Sequence, residues 1–296
     1  MNAGQMNAGQ MNAGQMNAGP MGADRMGACP PGVLTLLTDF GWRDPWVAEL
    51  KGAIHSAWAR RPCEGGLPHV VDLGHDVPCG DIAAGAWFLE RAAATYPTGT
   101  VHLAVVDPGV GSARPAVACS ARGQLFVGPG NGLLAFLAGD PDLLVVRLED
   151  MCGRGHPRTG LVSATFHGRD LFAPAAARLA LGEPPALLGP LADAGALGTA
   201  PDTGGAPRLV WIDVFGNGVS DLAAESEEGR LLAGGGRLRV GAHAVAGPHP
   251  CYADAPEGQP FWYWGSGGTL EIGVPGGSAA AALGLRPGLV LKVSVP

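Results

Sequence analysis

The sequence predicts an α/β N-terminal domain with a central, mostly parallel sheet, plus a smaller C-terminal antiparallel β-barrel domain. Three observations carry this. Between residues 33 and 181, short runs of branched apolar residues alternate with segments whose apolar residues recur at helical spacing, the pattern of strand–helix–strand units. From Gly182 to Pro207 that periodicity gives way to Pro, Gly and Ala. Beyond residue 208 come short β-type runs separated by Gly-rich turns, as in small barrels and sandwiches. The boundaries read as a tail over 1–30, an α/β domain over 31–190, a linker over 191–207 and a β-barrel over 208–296.

The elements follow in order. Six of the seven Met fall at 1, 6, 11, 16, 21 and 26, so the first 30 residues are a degenerate pentapeptide repeat without an aromatic or branched aliphatic residue. Such a segment has almost nothing to bury and is expected to be disordered. It has neither the apolar stretch of about 7–15 residues of a signal peptide nor the several Arg of a transit peptide. Val33 to Asp39 reads as a buried strand ending in a carboxylate. Asp44 then caps a helix with Pro45 at its first position, and Trp46, Val47, Leu50, Ala53, Ile54 and Ala57 form its apolar face. The pattern repeats as a strand over Val70 to Leu73, a helix capped by Asp81 and a strand over Val101 to Asp107. Further strands are expected near Val117 to Ser120 and Leu144 to Leu148, and a helix from about Asp170 to Leu181. The C-terminal domain is expected to use Leu209 to Val214, Arg237 to Val240, Pro260 to Trp264, Thr269 to Val274 and Leu289 to Val295.

Composition bounds the function. The net charge is −7 and the basic residues are almost all Arg, with no basic run, which argues against nucleic-acid binding by an electrostatic stripe. No stretch approaches the roughly 18 apolar residues of a membrane span, so a soluble protein is expected. Cys29, Cys63, Cys79, Cys119, Cys152 and Cys251 form no C-x-x-C pair and have no His at zinc-ligand intervals. Free thiols, a cytoplasmic location and no metal are the simplest expectation.

In open α/β sheets ligands sit beyond the carboxyl ends of the strands, near switches in strand order. Two expected strands end there in Asp. Asp39 opens a turn to Asp44, and Asp107 opens Asp107-Pro-Gly-Val-Gly-Ser-Ala-Arg114. Asp39-Phe-Gly41 lacks the catalytic loop that should precede a kinase magnesium motif. Gly109-x-Gly111 lacks the third glycine and the following helix of a dinucleotide fingerprint, and Gly265-Ser-Gly267 lacks the spacing of a nucleophile elbow. What remains is Asp107 and Arg114 around one Gly-rich turn and His167 just before a helix. A carboxylate and an imidazole can orient a water and accept its proton, while a guanidinium stabilises the hydroxide. The same residues also suit a structural Asp–Arg ion pair beside a helix-capping His, and local sequence leaves the two readings even.

At these residues the chain resembles the S-adenosyl-L-methionine (SAM) hydroxide adenosyltransferases, the adenosine-forming SAM hydrolases related to fluorinase and chlorinase. The likeness runs from Leu34 to Val293 through Leu37-Thr-Asp-Phe-Gly41, Asp72-Leu-Gly-His-Asp76, Gly99 to Gly111, Phe126 to Leu134, Thr165 to Pro174, Asp213-Val-Phe-Gly-Asn217 and Gly277-Ser-Ala279. It implies hydrolysis of SAM to adenosine and L-methionine by displacement at C5′, with Asp107, Arg114 and His167 as the water-activating triad. It also implies a homotrimer with each SAM site between the N-terminal domain of one subunit and the C-terminal domain of the next. SAM is then the substrate and no cofactor is implied. Asp39 would bind the ribose hydroxyls, Asp213 and Ser266 the methionine end, Asn217 the adenine edge, and Phe215 and Tyr252 the adenine ring. Asp44 and Gly276 fall in the same binding motifs.

The chain departs from the family pattern at Gly265 and Pro275, each usually Asn, at Val214, often basic, and at Ser220-Asp221, more usually Thr-Asn. These positions touch the methionine and adenine ends, which keeps a non-catalytic SAM- or adenosine-binding protein as an alternative. A SAM-dependent halogenase is the third reading. The halogenases differ from this chain in carrying an aromatic residue at the position of Asp107, a halide-pocket Ser at that of Gly168, and a long insertion before the Asn-Gly-Leu-Leu motif.

Overall fold

The computed structural model describes residues 32–61, 66–148, 156, 159–200 and 205–296. The expected Met-rich tail, Cys29, Cys63 and Cys152 lie outside them; Cys79, Cys119 and Cys251 are free thiols.

In the N-terminal region β1 (Val33–Thr38), α1 (Trp46–Ala59), β2 (His69–Gly74), α2 (Ile82–Ala93) and β3 (Val101–Val105) alternate as expected. After them come β4 (Ala116–Ala121), β5 (Gln124–Pro129), β6 (Leu144–Arg147), a π-helical turn over Gly168–Phe172 and α3 (Ala173–Ala180). The strands form one sheet in the order β2-β1-β3-β5-β4-β6-β7, where β7 is Leu191–Ala192. It is a mixed sheet, not a mostly parallel one. β2, β1, β3 and β5 run parallel, but β4, β6 and β7 join antiparallel. The cause is the two-residue connection Arg122-Gly123 between β4 and β5, with φ of 54° and 71°. Two central residues at positive φ make the tight turn of a hairpin, and a hairpin can join only antiparallel strands. Arg-Gly is a weaker hairpin signal than Asn-Gly, which is why β5 is not legible as a strand. The segment expected as a linker begins with β7, and Ala196 and Leu197 just after it are buried in the core.

Helices cover both faces. Leu50, Ile54 and Trp58 of α1 pack with Phe172, Ala176 and Leu179 on one side, where Trp58 Nε1 donates to the Ala177 carbonyl at 2.9 Å. Ala84, Leu89 and Ala93 of α2 pack on the other. Gly85 lets α2 close on the sheet, since a Cβ there would lie 2.9 Å from Val106. Asp81 caps α2 by accepting from Ala84 N at 2.9 Å, as expected. Asp44 does not cap α1. That helix starts at Trp46 behind Pro45 without a side-chain cap, and Asp44 is exposed one residue further out.

The C-terminal strands expected as a barrel are arranged as two antiparallel sheets. One has the order β12 (Phe261–Trp264), β13 (Thr269–Gly273), β9 (Gly218–Ala223), β8 (Leu209–Ile212); the other is β11 (His243–Val245), β10 (Arg237–Val240), β14 (Leu291–Ser294). Bridge pairs Arg208–Val290 and Ala246–Phe261 link them. Two short helices, α4 (Glu227–Ala233) and α5 (Ala279–Leu283), complete the region. Trp211 of β8 docks it on the N-terminal region, stacking on Trp87 of α2 with centroids 5.8 Å apart. Among the described residues no helix is long and apolar enough to cross a membrane.

Candidate active site

The chain runs from β1 through α1 to β2 on one side of β1, then returns through α2 to β3 on the other side. The strand order therefore reverses between β1 and β3, the crevice where open sheets bind ligands. The two strands pair in parallel up to Thr38 opposite Val105, so Asp39 and Asp107 leave neighbouring carboxyl ends. Asp39 accepts from Gly80 N at 2.8 Å. Burial raises its pKa, the Gly80 hydrogen bond opposes the rise, and the negative charge of Asp107 adds to it. The two carboxylates thus face a common site.

Asp107 is held by a fork. Arg114 Nε donates to its Oδ1 at 2.7 Å and Arg114 Nη2 to its Oδ2, with both side chains nearly inaccessible. A bidentate pair fixes direction as well as distance. Arg114 Nη2 also lies 3.1 Å from His167 Nδ1. A guanidinium only donates, so Nδ1 is the acceptor and neutral His167 carries its proton on Nε2. Burial and the Arg114 charge lower the His167 pKa, partly offset by Asp107 and Asp170. A cavity of about 340 Å³ adjoins Arg114, Pro115, His167 and Leu171.

Three supports around this group are not evident from the sequence. Gly111, at φ 79°, lies so close to the Ala164 carbonyl that a Cβ would overlap it, which ties the turn of Asp107 to the segment carrying His167. Asn131 Nδ2 donates to the Val106 carbonyl at 2.9 Å, pinning the chain one residue before Asp107. Asp170, buried and paired with Arg169, accepts from Ser163 N at 2.8 Å and anchors the loop ahead of His167.

The C-terminal candidates form a second group. Asp213 accepts from Phe215 N at 3.0 Å, Asn217 N at 2.7 Å and Asn217 Nδ2 at 2.8 Å. Tyr252 donates its hydroxyl to Asn217 Oδ1 at 2.6 Å and packs edge-on against Phe261. Phe215 is 75% exposed beside Val214 at 91%. Ser266 is exposed and accepts from Arg91 at 3.2 Å. Gly276 sits at φ 70° in an exposed turn. Among the described residues, hydrogen bonds link Asp107, Arg114 and His167, and separately Asp213, Asn217 and Tyr252, without joining the two groups. Among the described residues no group of three His, Cys, Asp or Glu is arranged to hold a metal ion.

Comparison with known proteins matches residues 34–189 to the N-terminal domain of the SAM hydroxide adenosyltransferases and residues 208–292 to their C-terminal domain. The chain belongs to the SAM hydroxide adenosyltransferase family. An (R)-S-adenosyl-L-methionine hydrolase of Thermus thermophilus is 41% identical over 267 residues, covering 87% of this chain and 97% of the relative. One of Salinispora arenicola is 41% identical over 273 residues, covering 88% and 97%. Among solved structures, an uncharacterized conserved protein from Thermotoga maritima superposes with a TM-score of 0.73 at 27% identity, covering 88% of this chain and 100% of that one. A conserved hypothetical protein from Thermus thermophilus gives 0.67 at 39% identity over 89% and 100%. As a member of the family, the chain carries its Asp, Arg and His candidates in one hydrogen-bonded group and its adenine and methionine candidates in the other region.

Proposed function

We propose that this enzyme hydrolyses S-adenosyl-L-methionine to adenosine and L-methionine, with the (R)-sulfonium diastereomer, named in its relatives, as the preferred substrate. The observation that carries the reading is the Asp107–Arg114–His167 group beside Asp39 at the switch between β1 and β3.

A water oxygen attacks C5′ in line with the C–S bond. The bond breaks with its electron pair going to sulfur, which leaves as a neutral thioether. The leaving group needs no proton, so catalysis lies in holding and ionising the water. Asp107 keeps free lone pairs beyond its two bonds to Arg114 and accepts the water proton. His167, with Nδ1 occupied by Arg114, presents Nε2–H as a donor to the oxygen that becomes hydroxide-like. Asp39 binds the ribose hydroxyls through its paired acceptors, and the two carboxylates offset the sulfonium charge. Asp213 and Ser266 hold the methionine end, Asn217 the adenine edge, and Phe215 and Tyr252 the ring. Asp44 and Gly276 line the rim.

That no hydrogen bond joins the two residue groups among the described residues of one chain supports a composite site in a homotrimer. So do the exposed apolar side chains on both, Trp42 and Trp46 on the N-terminal region and Val214 and Phe215 on the C-terminal one, a pattern that marks interaction surfaces.

Chromatography of SAM incubated with the protein should give equimolar adenosine and methionine, faster from the (R) diastereomer. Asp107→Asn should lower kcat by about 10²–10⁴, the range of a general base. Binding without product from either diastereomer would overturn hydrolysis and leave a SAM-binding protein.

A further inference from the structure

A cavity of about 490 Å³ lies between α2 and the C-terminal sheet, lined among others by Trp87, Arg91, Trp211, Asp213, Ser266 and Glu271. Arg91 lies along the face of Trp87, with its guanidinium carbon 5.7 Å from the ring centroid. It donates from Nη2 to Ser266 Oγ at 3.2 Å, and Glu271 Oε1 stands 3.9 Å from the same nitrogen, beyond hydrogen-bond reach. With Ser266 as its hydrogen-bond partner among the described residues, Arg91 keeps further guanidinium N–H donors to offer a ligand in the cavity it lines. Since Ser266 Oγ accepts from Arg91, its own hydroxyl proton is free to donate elsewhere. A guanidinium and a hydroxyl donor side by side match the two oxygens of a carboxylate.

The residues flanking Ser266 make room for this arrangement. A Cβ at Gly267 would overlap Arg91 Nη1, and a Cβ at Gly265 would overlap the Glu271 carboxylate. The two glycines thus leave the positions beside Ser266 to one cation and one anion brought from elsewhere in the chain. Glu271 is itself oriented by the Tyr263 hydroxyl, which donates to Oε2 at 2.8 Å. With Asp213 on the same wall, the cavity offers both signs of charge over a few residues, the complement of an α-amino-acid zwitterion.

We propose that Arg91, together with Ser266, binds the α-carboxylate of the substrate's amino-acid end, so that the enzyme selects adenosyl sulfonium compounds carrying that carboxylate. The proposal rests on the hydrolase reading for the identity of the substrate. Arg91 acts on specificity and not on the chemical step, so its loss appears in KM more than in kcat.

The test compares SAM with its decarboxylated analogue, which keeps the sulfonium and amine but lacks the carboxylate, in the wild type, Arg91→Met and Arg91→Lys. Met preserves the apolar stem along Trp87. Charged hydrogen bonds of this kind correspond to about a 10- to 100-fold change in affinity. The wild type should prefer SAM by that factor. Arg91→Met should raise KM for SAM by a similar factor and leave the analogue unchanged, and Arg91→Lys should fall between. A wild type indifferent to the carboxylate, or an Arg91→Met variant that weakens both compounds equally or neither, would overturn the proposal. The wild-type comparison stands even if the variants fail to fold. Calorimetric binding of both compounds separates the two readings: Arg91-dependent SAM binding without turnover would sink the hydrolase assignment and leave this one standing.

Discussion

The electrostatics of His167 decide how it can serve the site. Burial and the neighbouring Arg114 guanidinium both favour the neutral imidazole and lower its pKa from the ordinary value of 6.5. Protonation would also set a cation against Arg114 and remove the Nδ1 acceptor. Because the folded-state pKa lies below the unfolded one, the unfolded chain takes up its proton first on acidification. The group's contribution to stability is complete above pH 6.5 and is lost as pH falls from there through the folded pKa. We expect kcat/KM for SAM to stay level from about pH 8 to 6.5 and to decline on an acid limb below 6.5. In His167→Gln the His167 titration should disappear from that limb. A wild-type limb at or above 6.5 in a pH–rate profile would contradict this account. Arg114 and Asp107 are legible as candidates because their types and seven-residue separation suit one turn. Whether they form a water-activating site or an ordinary ion pair is not, since that depends on the third partner 53 residues on from Arg114.

The turn from Asp107 to Arg114 works as a unit with the loop before His167. Gly111 is where they touch, at positive φ and against the Ala164 carbonyl. Gly111→Ala is expected to destabilise the fold by about 2 kcal/mol through backbone strain. It should lower kcat at least about tenfold by shifting His167 from Arg114, because small misplacements at a reacting centre are costly. Urea unfolding and steady-state kinetics on the same variant check both parts; lost stability with unchanged kcat would mean the contact is only structural. Helix and strand periodicity makes α1, α2, β1, β2 and β3 legible, because each buries one clear face. The β4–β5 hairpin is not, because its turn lacks the usual residues. The start of α1 differs from its expected position because Asp44 is a good capping type placed one residue too early.

For the whole molecule, the proposed composite site would require more than one copy. Light scattering during gel filtration should give three times the chain mass of 29.9 kDa. A monomer that still hydrolyses SAM would exclude a site shared between subunits. Gly and Pro, 49 and 26 of 296 residues, together approach the share at which low complexity becomes the default reading. In the folded chain several of these glycines permit close approaches instead: Gly85 beneath α2, Gly111 at the triad, and Gly265 and Gly267 around Ser266. Which of those glycines matters is a tertiary fact, since nothing beside Gly267 in sequence announces Arg91.

The alternation of elements in the N-terminal region and the motif order that identifies the family are written in the chain itself, because periodicity and spacing are local or collinear properties. That the sheet is mixed, that Asp39 and Asp107 leave adjacent strands, and that Arg114 bridges Asp107 to His167 emerges only on folding. So does the placement of Arg91 against Ser266, 175 positions away. These are contacts between residues far apart in the chain, set by strand order and by which faces must be buried, and no local pattern encodes them.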